Sequence, residues 1–486
     1  MSKITAYRLS RLLGEWSAGQ SARAERLGDA LSQLIGENTL PLGSYLPAER
    51  ALANALGISR GTVTAAYAHV RDAGLIDSRQ GSGHRIISPA RMLRFAHRPD
   101  VKVRAEVGEL SQRIDLSSGA LQPSPVVRAV VATLQNRDLL QLVEDVGYFS
   151  AGLPHLRWEI ARYYSELGLP THPANILVTN GAQQALWLLS TCLVQPGDSI
   201  VVEEPTYRGA LETFRSQKAR LVSVSIDEQY RLDLVGLERV LMRRPKLAYL
   251  FAEVSNPLGR TLDDTERNQL ADLLRRHGTF LIEDGSQNEL HLDRAKPLTP
   301  IASLLDENSV ATIGTMSKLF WGGLRIGWIR AARGLIETLT AFKAASDLGN
   351  SVLDQSIAVR MFSHLSEARD YRRMELQSHL ELLIGELGSR SSRWSWRKPN
   401  GGTALWARLA GVNTISLRQS ALRRGLLLSA GPDFSPVHGH EDSLRLAFVR
   451  PAEQVRSALD IIEQLIDSAP AGLIVHSADA PRRHIS

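Results

Sequence analysis

Cysteine is almost missing from this chain of 486 residues, which contains a single one, Cys192. One thiol cannot form a disulfide framework or a Cys-rich metal site, so we expect neither a disulfide nor a bound metal ion. The start of the chain has no signal-like apolar core, and no stretch reaches the ~18 apolar residues of a membrane span. We therefore expect a soluble, cytoplasmic protein that does not bind a membrane, with Cys192 on the buried face of a helix.

A strong charge of either sign is absent as well. The net charge is +6 over the whole chain, and residues 1–90 carry 10 Lys or Arg against 7 Asp or Glu. This small surplus permits nucleic-acid binding but does not indicate it, so a DNA-binding function has to be argued from motifs. Internal repeats are not found, and the hydrophobic share of 43% is ordinary for a globular protein with two or three domains.

Three regions and a tail differ in their pattern along the chain. Residues 1–87 predict helices followed by a hairpin, residues 88–113 are basic and aperiodic like a linker, and residues 114–470 alternate apolar runs with amphipathic helices. Residues 471–486 form the tail. Short apolar runs separated by helices predict an α/β domain with a mostly parallel sheet covered on both faces, in which ligands bind at the carboxyl ends of the strands. The predicted strands are 176–179, 199–202, 247–251, 279–282 and 310–314.

The N-terminal region has the pattern of a helix-turn-helix with a wing. Apolar spacing predicts a helix over 27–35, a second helix that opens at Pro47 and stops at Gly57, and a third from Arg60 to about Ala73. The third helix would enter the major groove, and the hairpin after it would be the wing. The predicted DNA contacts are Arg50, Ser59, Arg60, Thr62, Arg79 and Gly83.

Each of these contacts has a chemical reason. Ser59 is a suitable N-cap for the third helix, and Arg60 can bind a phosphate or the O6/N7 edge of guanine. Arg50 and Arg79 are placed to contact backbone phosphates. A small helical dimerisation or docking domain is the alternative.

The detailed sequence of this region resembles the GntR-type winged helix almost position by position. The resemblance implies that the module binds double-stranded operator DNA. The family usually has a threonine after the wing glycine, where this chain has His84. The matching strings are LPAER at 46–50, LGISRGTV at 56–63, AY at 66–67 and GSG at 81–83.

The densest chemistry of the second region lies at 314–318 and 323–327. Lys318 follows a strand and lies close to hydroxyls and a second cation. Desolvation and a neighbouring positive charge lower the pKa of such an amine, which suits imine formation. The Ser317 hydroxyl and Arg325 can bind a phosphate together.

Other strand ends add the partners that a single ligand needs. The segment Asn180-Gly181-Ala182-Gln183 opens a helix whose free N–H groups can hold a phosphate. Asp284 can pair with a pyridinium nitrogen, Tyr207 can stack on a ring, and Asn256 can bond to a phenolic oxygen. Each element is weak alone, but together they indicate pyridoxal 5′-phosphate.

In order and spacing this set resembles the fold-type I aminotransferases, and a GntR-like module followed by such a domain resembles the MocR subfamily of regulators. The resemblance implies a homodimer, a smaller C-terminal α+β subdomain, and an internal aldimine between Lys318 and pyridoxal phosphate. It implies that Arg445 binds a carboxylate of an amino-compound effector near Gly119, in the segment that covers the ligand. The other implied contacts are Asp284 to the pyridine nitrogen, Asn256 to the ring oxygen, Tyr207 by stacking, Ala182, Gln183, Ser317 and Arg325 to the phosphate, and Tyr148 of the partner subunit.

The sequence therefore predicts a DNA-binding regulator that senses pyridoxal phosphate or an amino-acid-like effector through Lys318. Ser286 and Gln287 stand where the family has a tyrosine, and Leu258-Gly259 where it has Thr-Gly, which argues against efficient transamination. A working aminotransferase of amino acids and 2-oxo acids is the alternative, kept open by Arg445. A GntR-type repressor whose second domain carries no cofactor is a further one.

Overall fold

The computed structural model divides the chain into two compact units, residues 1–111 and residues 112–486. It describes residues 4–13, 16, 23–36, 39–40, 44–72, 75–79, 83–86, 113–135, 140, 142–437 and 439–468. The predicted tail and all of the predicted linker except Arg113 lie outside the described residues. Among the described helices, none is both long and apolar enough to cross a bilayer.

In its described residues, the first unit contains four helices and a two-stranded antiparallel hairpin around one apolar core. The predicted helices and hairpin are present, but a helix at the start of the chain was missed. Its Leu9 and Leu13 are buried in the same core. The elements are α1 (Ala6–Leu13), α2 (Arg23–Gly36), α3 (Glu49–Leu56), α4 (Arg60–Asp72), β1 (Ile76–Arg79) and β2 (Gly83–Ile86).

Local chemistry sets the boundaries of α3 and α4. The sequence predicted a helix that opens at Pro47, but helix α3 begins at Glu49, and Pro47 lies before it. The helix ends at Gly57, whose φ of 64° is a left-handed conformation that favours glycine. Ser59 caps α4 as predicted, because its Oγ accepts the Thr62 N–H at 3.1 Å. One face of α4 is buried at helical spacing: Val63, Ala66, Tyr67 and Val70.

The second unit is built on a seven-stranded sheet with the order β4-β10-β9-β8-β7-β5-β6. The five predicted strands are present, while β6 and β10 were missed. All neighbouring strands are parallel except β10, which runs antiparallel to both β4 and β9. The strands are β3 (Ile114–Asp115), β4 (Ile176–Thr179), β5 (Ser199–Glu204), β6 (Arg220–Ser225), β7 (Leu247–Leu250), β8 (Phe280–Asp284), β9 (Val310–Thr315) and β10 (Gly327–Ala331), of which β3 lies outside this sheet.

Helices cover both faces of this sheet, and an apolar core lies on each face. Cys192 lies on one of these helices. Its side chain is half-buried, whereas the sequence predicted a buried position. The helices are α5 (Pro125–Ala132), α6 (Pro154–Glu166), α7 (Ala182–Leu193), α8 (Arg208–Ser216), α9 (Leu234–Leu241), α10 (Asp264–His277), α11 (Arg333–Asp347) and α12 (Val352–Met361).

A smaller α+β subdomain with its own core completes the unit, as the resemblance implied. Its antiparallel sheet has the order β11-β12-β15-β14, and a separate parallel pair joins β13 to β3, so the segment after the linker belongs to this subdomain. The elements are α13 (Leu365–Gly388), β11 (Trp394–Trp396), β12 (Ala404–Leu409), α14 (Thr414–Arg423), β13 (Leu426–Leu427), β14 (Ser429–Ala430), β15 (Ser443–Ala447) and α15 (Ala452–Asp467).

Candidate functional site

The polar residues predicted to bind a ligand follow neighbouring strands of the large sheet. Strands β7, β8 and β9 are adjacent and parallel, so their carboxyl ends lie side by side. Asn256 follows β7, Asp284 ends β8, and Lys318 follows β9. The sheet order therefore brings together three groups that are far apart in the sequence, at the edge where such folds bind ligands.

Lys318 is half-buried, and its ammonium Nζ donates a hydrogen bond to the Gly119 carbonyl at 3.2 Å. Burial, together with the positive charge of Arg445, lowers the pKa of Lys318 to about 8. Both causes were expected from the sequence, although the cation involved is Arg445 rather than Arg325. A sizeable fraction of this amine is thus unprotonated near neutral pH.

Asp284 is a buried carboxylate held by two donors. Its Oδ1 accepts the Ser286 N–H at 2.8 Å, and its Oδ2 accepts a short hydrogen bond from the Tyr249 hydroxyl. Burial raises the pKa of Asp284, although these hydrogen bonds oppose the rise. A carboxylate fixed in this way at a strand end can pair with a protonated ring nitrogen, and Tyr249 is a neighbour that the sequence did not reveal.

The turn predicted to bind a phosphate lies at the N-terminus of α7. Gly181 has a φ of 78°, and a Cβ at this position would lie 2.9 Å from Arg325 Nη2. Arg325 Nη2 donates to the Asn180 carbonyl at 2.5 Å, which holds the guanidinium beside the first turn of the helix. Ser317 precedes Arg325 in the same connection between β9 and β10, and its hydroxyl accepts a hydrogen bond from Thr315 Oγ1 at 3.0 Å. A helix N-terminus with an adjacent arginine is suited to bind a phosphate.

Asn180 is anchored by a network that the sequence did not predict. Its Nδ2 donates to Asp347 Oδ2 at 3.2 Å, and its Oδ1 accepts from Asn350 Nδ2 at 2.7 Å. The fully buried Lys343 pairs with Asp347 at 2.7 Å. These residues lie more than 150 positions from Asn180 in the chain, so no local pattern could have identified them.

Tyr207 and Gln183 contact each other at the same end of the sheet. The Tyr207 hydroxyl donates to Gln183 Oε1 at 3.0 Å, and Gln183 Nε2 donates to Thr213 Oγ1 at 2.9 Å. The side chain of Gln183 is therefore occupied, so the predicted contact of this residue with a phosphate would have to come from its backbone N–H. Burial raises the pKa of Tyr207, so its hydroxyl is neutral at physiological pH.

Arg445, on β15 of the small subdomain, is buried and faces the same cleft as Lys318. Its Nε donates to Asn256 Oδ1 at 3.2 Å and its Nη1 to the Ser117 carbonyl at 3.1 Å. A Cβ on Gly119 would lie 2.8 Å from Nη2, so only glycine leaves this edge of the guanidinium open. Burial lowers the pKa of Arg445 to about 10, and the group stays cationic at neutral pH.

Of the residues that depart from the family pattern, Ser286 contacts Asp284 directly. Ser286 uses its backbone N–H to hold Asp284, and the neighbouring Gln287 is buried. Leu258 is buried as well, in a small cluster with Trp406. Tyr148, predicted to reach the phosphate of a partner subunit, has 70% of its surface exposed in the single chain.

The residues predicted to contact DNA lie at the start of α3, at the start of α4 and on the wing. Ser59 and Arg60 are exposed, and Ser59 Oγ lies 2.8 Å from Thr62 Oγ1. Arg60 Nε also contacts Glu49 Oε2 at 3.1 Å, which holds the arginine at the start of α4. Arg50 and Gly83 are exposed; for Arg79 only the backbone, in β1, lies within the described part of the chain.

The sequence did not identify Glu49, although its carboxylate contacts both α4 and the wing. It also accepts a hydrogen bond from Thr64 Oγ1 at 2.9 Å, and its Oε1 lies 3.6 Å from Nε2 of His84 on β2. The histidine that departs from the family pattern is thus part of the contact between α3 and the wing.

Two family models match the chain. Residues 111–462 match the aminotransferases of class I and II, and residues 23–86 match the gntR family of bacterial regulatory proteins. The uncharacterized HTH-type transcriptional regulator YdfD of Bacillus subtilis (strain 168) is 28% identical over 441 residues, which cover 86% of this chain and 91% of YdfD.

A second relative and a solved structure agree with these matches. The probable rhizopine catabolism regulatory protein MocR of Rhizobium meliloti is 28% identical over 60% of this chain and 61% of its own length. LysN, an α-aminoadipate aminotransferase from Thermus thermophilus solved with N-(5′-phosphopyridoxyl)-L-leucine, superposes with a TM-score of 0.66 at 25% identity. The superposition covers 74% of this chain and 94% of that one.

The residues of the second unit fit pyridoxal phosphate. Lys318 supplies a poised amine, Asp284 a fixed carboxylate, and Gly181 a turn whose space a Cβ would fill. The chain therefore belongs to the class I and II aminotransferase family, whose fold-type I members use pyridoxal phosphate, and its additional gntR-type domain makes it a regulator of the MocR subfamily.

Proposed function

We propose that this protein is a transcriptional regulator whose DNA affinity changes when an amino compound with a carboxylate binds beside Lys318. The proposal is based on one observation: the amine of Lys318 and the guanidinium of Arg445 both lie next to Gly119. Lys318 Nζ bonds to the Gly119 carbonyl at 3.2 Å, and Arg445 Nη2 faces the α-carbon of the same residue. An amine-exchanging group and a carboxylate receptor side by side select an amino acid or a close analogue.

The chain's own residues divide the work of holding the cofactor. When bound, pyridoxal phosphate supplies an aldehyde that links reversibly to primary amines. Lys318 would provide the amine that binds the aldehyde, and the Asp284 carboxylate, held by Ser286 and Tyr249, would keep the ring nitrogen protonated. Tyr207 would stack on the ring and the Asn256 amide would donate to its oxygen. The N–H groups of Ala182 and Gln183, the Ser317 hydroxyl and Arg325 would hold the phosphate.

Recognition of DNA is assigned to the first unit. The exposed N-terminal turn of α4 enters the major groove, where Arg60 reads a guanine edge or binds a phosphate, and Arg50, Arg79 and Gly83 contact the backbone. A regulator of this kind acts where the chromosome lies, which in a bacterial cell is the cytoplasm.

A second copy of the chain is the proposed partner of an exposed apolar surface near Tyr148. Leu348 and Leu353 are about half exposed, and Ser150 Oγ bonds to the Leu348 carbonyl at 3.0 Å, so the two segments adjoin. Exposed apolar side chains that cluster in this way are typical of an interface. A dimer would present two winged helices to paired or repeated half-sites. The exposed apolar residues are Leu140, Val143, Val146, Tyr148, Leu348 and Leu353.

The lowered pKa of Lys318 predicts how cofactor capture depends on pH. Only the neutral amine is a nucleophile, so the rate of capture by cofactor-free protein rises with pH and reaches half of its maximum near pH 8. Stopped-flow absorbance between about pH 6 and pH 11.5 measures this midpoint and covers the ordinary lysine pKa. Nα-acetyl-lysine as a control has its midpoint near the ordinary lysine pKa of about 10.4. A protein midpoint at that higher value would contradict the assigned environment.

Ligand-dependent DNA affinity tests the proposed function directly. We expect an amino acid of the correct class to change the operator Kd of the cofactor-loaded protein by about tenfold, because a coupling of about 1.4 kcal/mol is typical of linked sites. Operator fragments selected from random DNA and fluorescence anisotropy at fixed salt give this Kd. Equal affinity with and without cofactor and with every amino compound would exclude sensing.

Transamination is the second candidate function, favoured by the presence of Lys318, Asp284 and Arg445 in one cleft. The cofactor-loaded protein is incubated with an amino acid and a 2-oxo acid, and product formation is followed. We expect no sustained turnover, since Ser286 and Gln287 replace the tyrosine of active relatives. Turnover at rates of about 1 s⁻¹ or more, which are ordinary for enzymes, would favour the enzyme.

A further inference from the structure

Helix α13 passes from one apolar core of the second unit to another. Ala368 near its start packs into the core of the large subdomain, and Leu376 packs into the core of the small subdomain. Arg372 lies one helical turn from each and is only 1% exposed. A guanidinium has five N–H donors, and a buried one needs hydrogen-bond acceptors for them. At this junction, acceptors can come from both subdomains.

The acceptors of Arg372 are carbonyls of two distant segments. Its Nε donates to the Leu319 carbonyl at 2.9 Å, and its Nη2 donates to the Phe320 carbonyl at 2.9 Å and to the Gln122 carbonyl at 2.6 Å. Glu375 Oε2 accepts from Nη1 at 2.7 Å.

These two segments carry the groups that meet in the cofactor cleft. Leu319 directly follows Lys318, and Gln122 lies three residues after Gly119, whose carbonyl accepts from Lys318 Nζ. The segments also belong to different subdomains: Leu319 packs in the large core and Leu121 in the small one. Arg372 thus joins the same two segments that the Lys318–Gly119 hydrogen bond joins.

We propose that Arg372 is a positioning residue that fixes the Lys318 segment against the Gly119 segment and transmits movement of one to the other. This inference rests on the proposed function, since it names the link by which ligand binding at Gly119 is felt at Lys318 and along α13. Lysine cannot replace this arginine, because a point charge cannot donate to three carbonyls in a planar fork.

The test compares Arg372→Lys with the matched control Arg373→Lys in the full chain. The guanidinium of Arg373 bonds to Asp370 and to the Arg294 carbonyl, which are outside both segments. We expect Arg372→Lys to weaken retention of pyridoxal phosphate by about tenfold or more, in line with the loss of other supporting hydrogen bonds, while Arg373→Lys retains it like the wild type. Equilibrium dialysis of cofactor measures the retention.

A pH profile separates positioning from mere destabilisation. If Arg372 holds Lys318 beside Arg445, the midpoint of cofactor capture in Arg372→Lys moves up from about pH 8. A purely structural role would lower the melting temperature but leave the midpoint of the folded protein unchanged, and that result would overturn the proposal. If Arg372→Lys does not fold, Glu375→Ala decides: it removes the acceptor of Nη1, together with that of the Tyr371 hydroxyl, and keeps the carbonyl acceptors of Arg372. A smaller upward shift supports the proposal, while no shift overturns it.

The DNA readout distinguishes the two proposals. We expect the amino-compound-induced change in operator affinity to be at least about threefold smaller in Arg372→Lys than in the wild type, because the link between the segments is loosened. A wild type without any such change would refute the proposed function, while the shifted capture midpoint would still support the positioning role. A wild type that responds, with Arg372→Lys responding equally and capturing at the same midpoint, would refute only the positioning role.

Discussion

Lys318→Ala is expected to abolish covalent retention of pyridoxal phosphate and with it the response of DNA binding to amino compounds. The substitution removes the amine whose pKa is lowered to about 8 by burial and by Arg445. At a concentration about 100 times its Kd, the cofactor stabilises the wild type by about 2.7 kcal/mol. The variant should lose most of this stabilisation. Mass spectrometry after borohydride reduction and thermal melts with added cofactor measure both effects.

The ligand-free stability of Lys318→Ala is the internal check. Below pH 8 the Lys318 side chain is mostly a buried ammonium group, and burying a charge costs free energy. Replacing this side chain with alanine should therefore not lower the melting temperature of the cofactor-free protein. Lys246→Ala, which truncates an exposed lysine of the same unit, should retain the cofactor fully. A pyridoxyl adduct on another lysine, with normal ligand-dependent DNA binding in Lys318→Ala, would refute the assignment of the site.

Arg445→Gln has the second large expected effect, on the affinity for the amino compound. A buried guanidinium that binds a carboxylate in a fork contributes about 2–4 kcal/mol, so the effector Kd should rise about 30- to 1000-fold. The loss of its charge should also raise the pKa of Lys318, because Arg445 contributes to lowering it. Cofactor capture would then have its midpoint above pH 8. Effector titrations followed by absorbance, and the pH profile of capture, measure the two effects.

Two controls make the interpretation of Arg445→Gln specific. An amine without a carboxylate should bind to the variant and the wild type with equal affinity, because it makes no use of Arg445. Arg408→Gln changes an arginine of the neighbouring strand β12 that pairs with Asp442 at the surface, and it should bind the effector normally. An unchanged effector Kd in Arg445→Gln would mean that another group receives the carboxylate.

The first unit was largely predictable because its signals are local. The stop at Gly57 needs only one left-handed residue, the cap at Ser59 needs only the next three residues, and the inward face of α4 repeats at helical spacing. Helix α1 was missed because it is short, and its burial depends on residues that follow much later in the chain. The missed role of Glu49 has the same origin, since Arg60 and His84 reach it only after the three elements have packed.

In the second unit, the sequence revealed the buried strands that are followed by polar residues. It did not reveal β6 and β10, which lack this signal. Strand β6 is a partly exposed edge strand with no predicted ligand-binding residue after it, and β10 begins two residues after Arg325, the arginine predicted to bind a phosphate. Its antiparallel direction follows from a short connection back along β9, which the apolar pattern alone does not encode.

The sequence by itself determined most helices of the first unit, the strands that end at polar residues and the type of chemistry at those ends, because these depend on neighbouring residues and on side-chain identity. The tertiary structure alone decided which of these groups meet. Tyr249 bonds to Asp284 across 35 residues, Asn180 to Asp347 across 167, and Arg372 to the Gln122 carbonyl across 250. Such contacts arise from the order of the strands and the packing of two subdomains, and no periodicity in the chain specifies them.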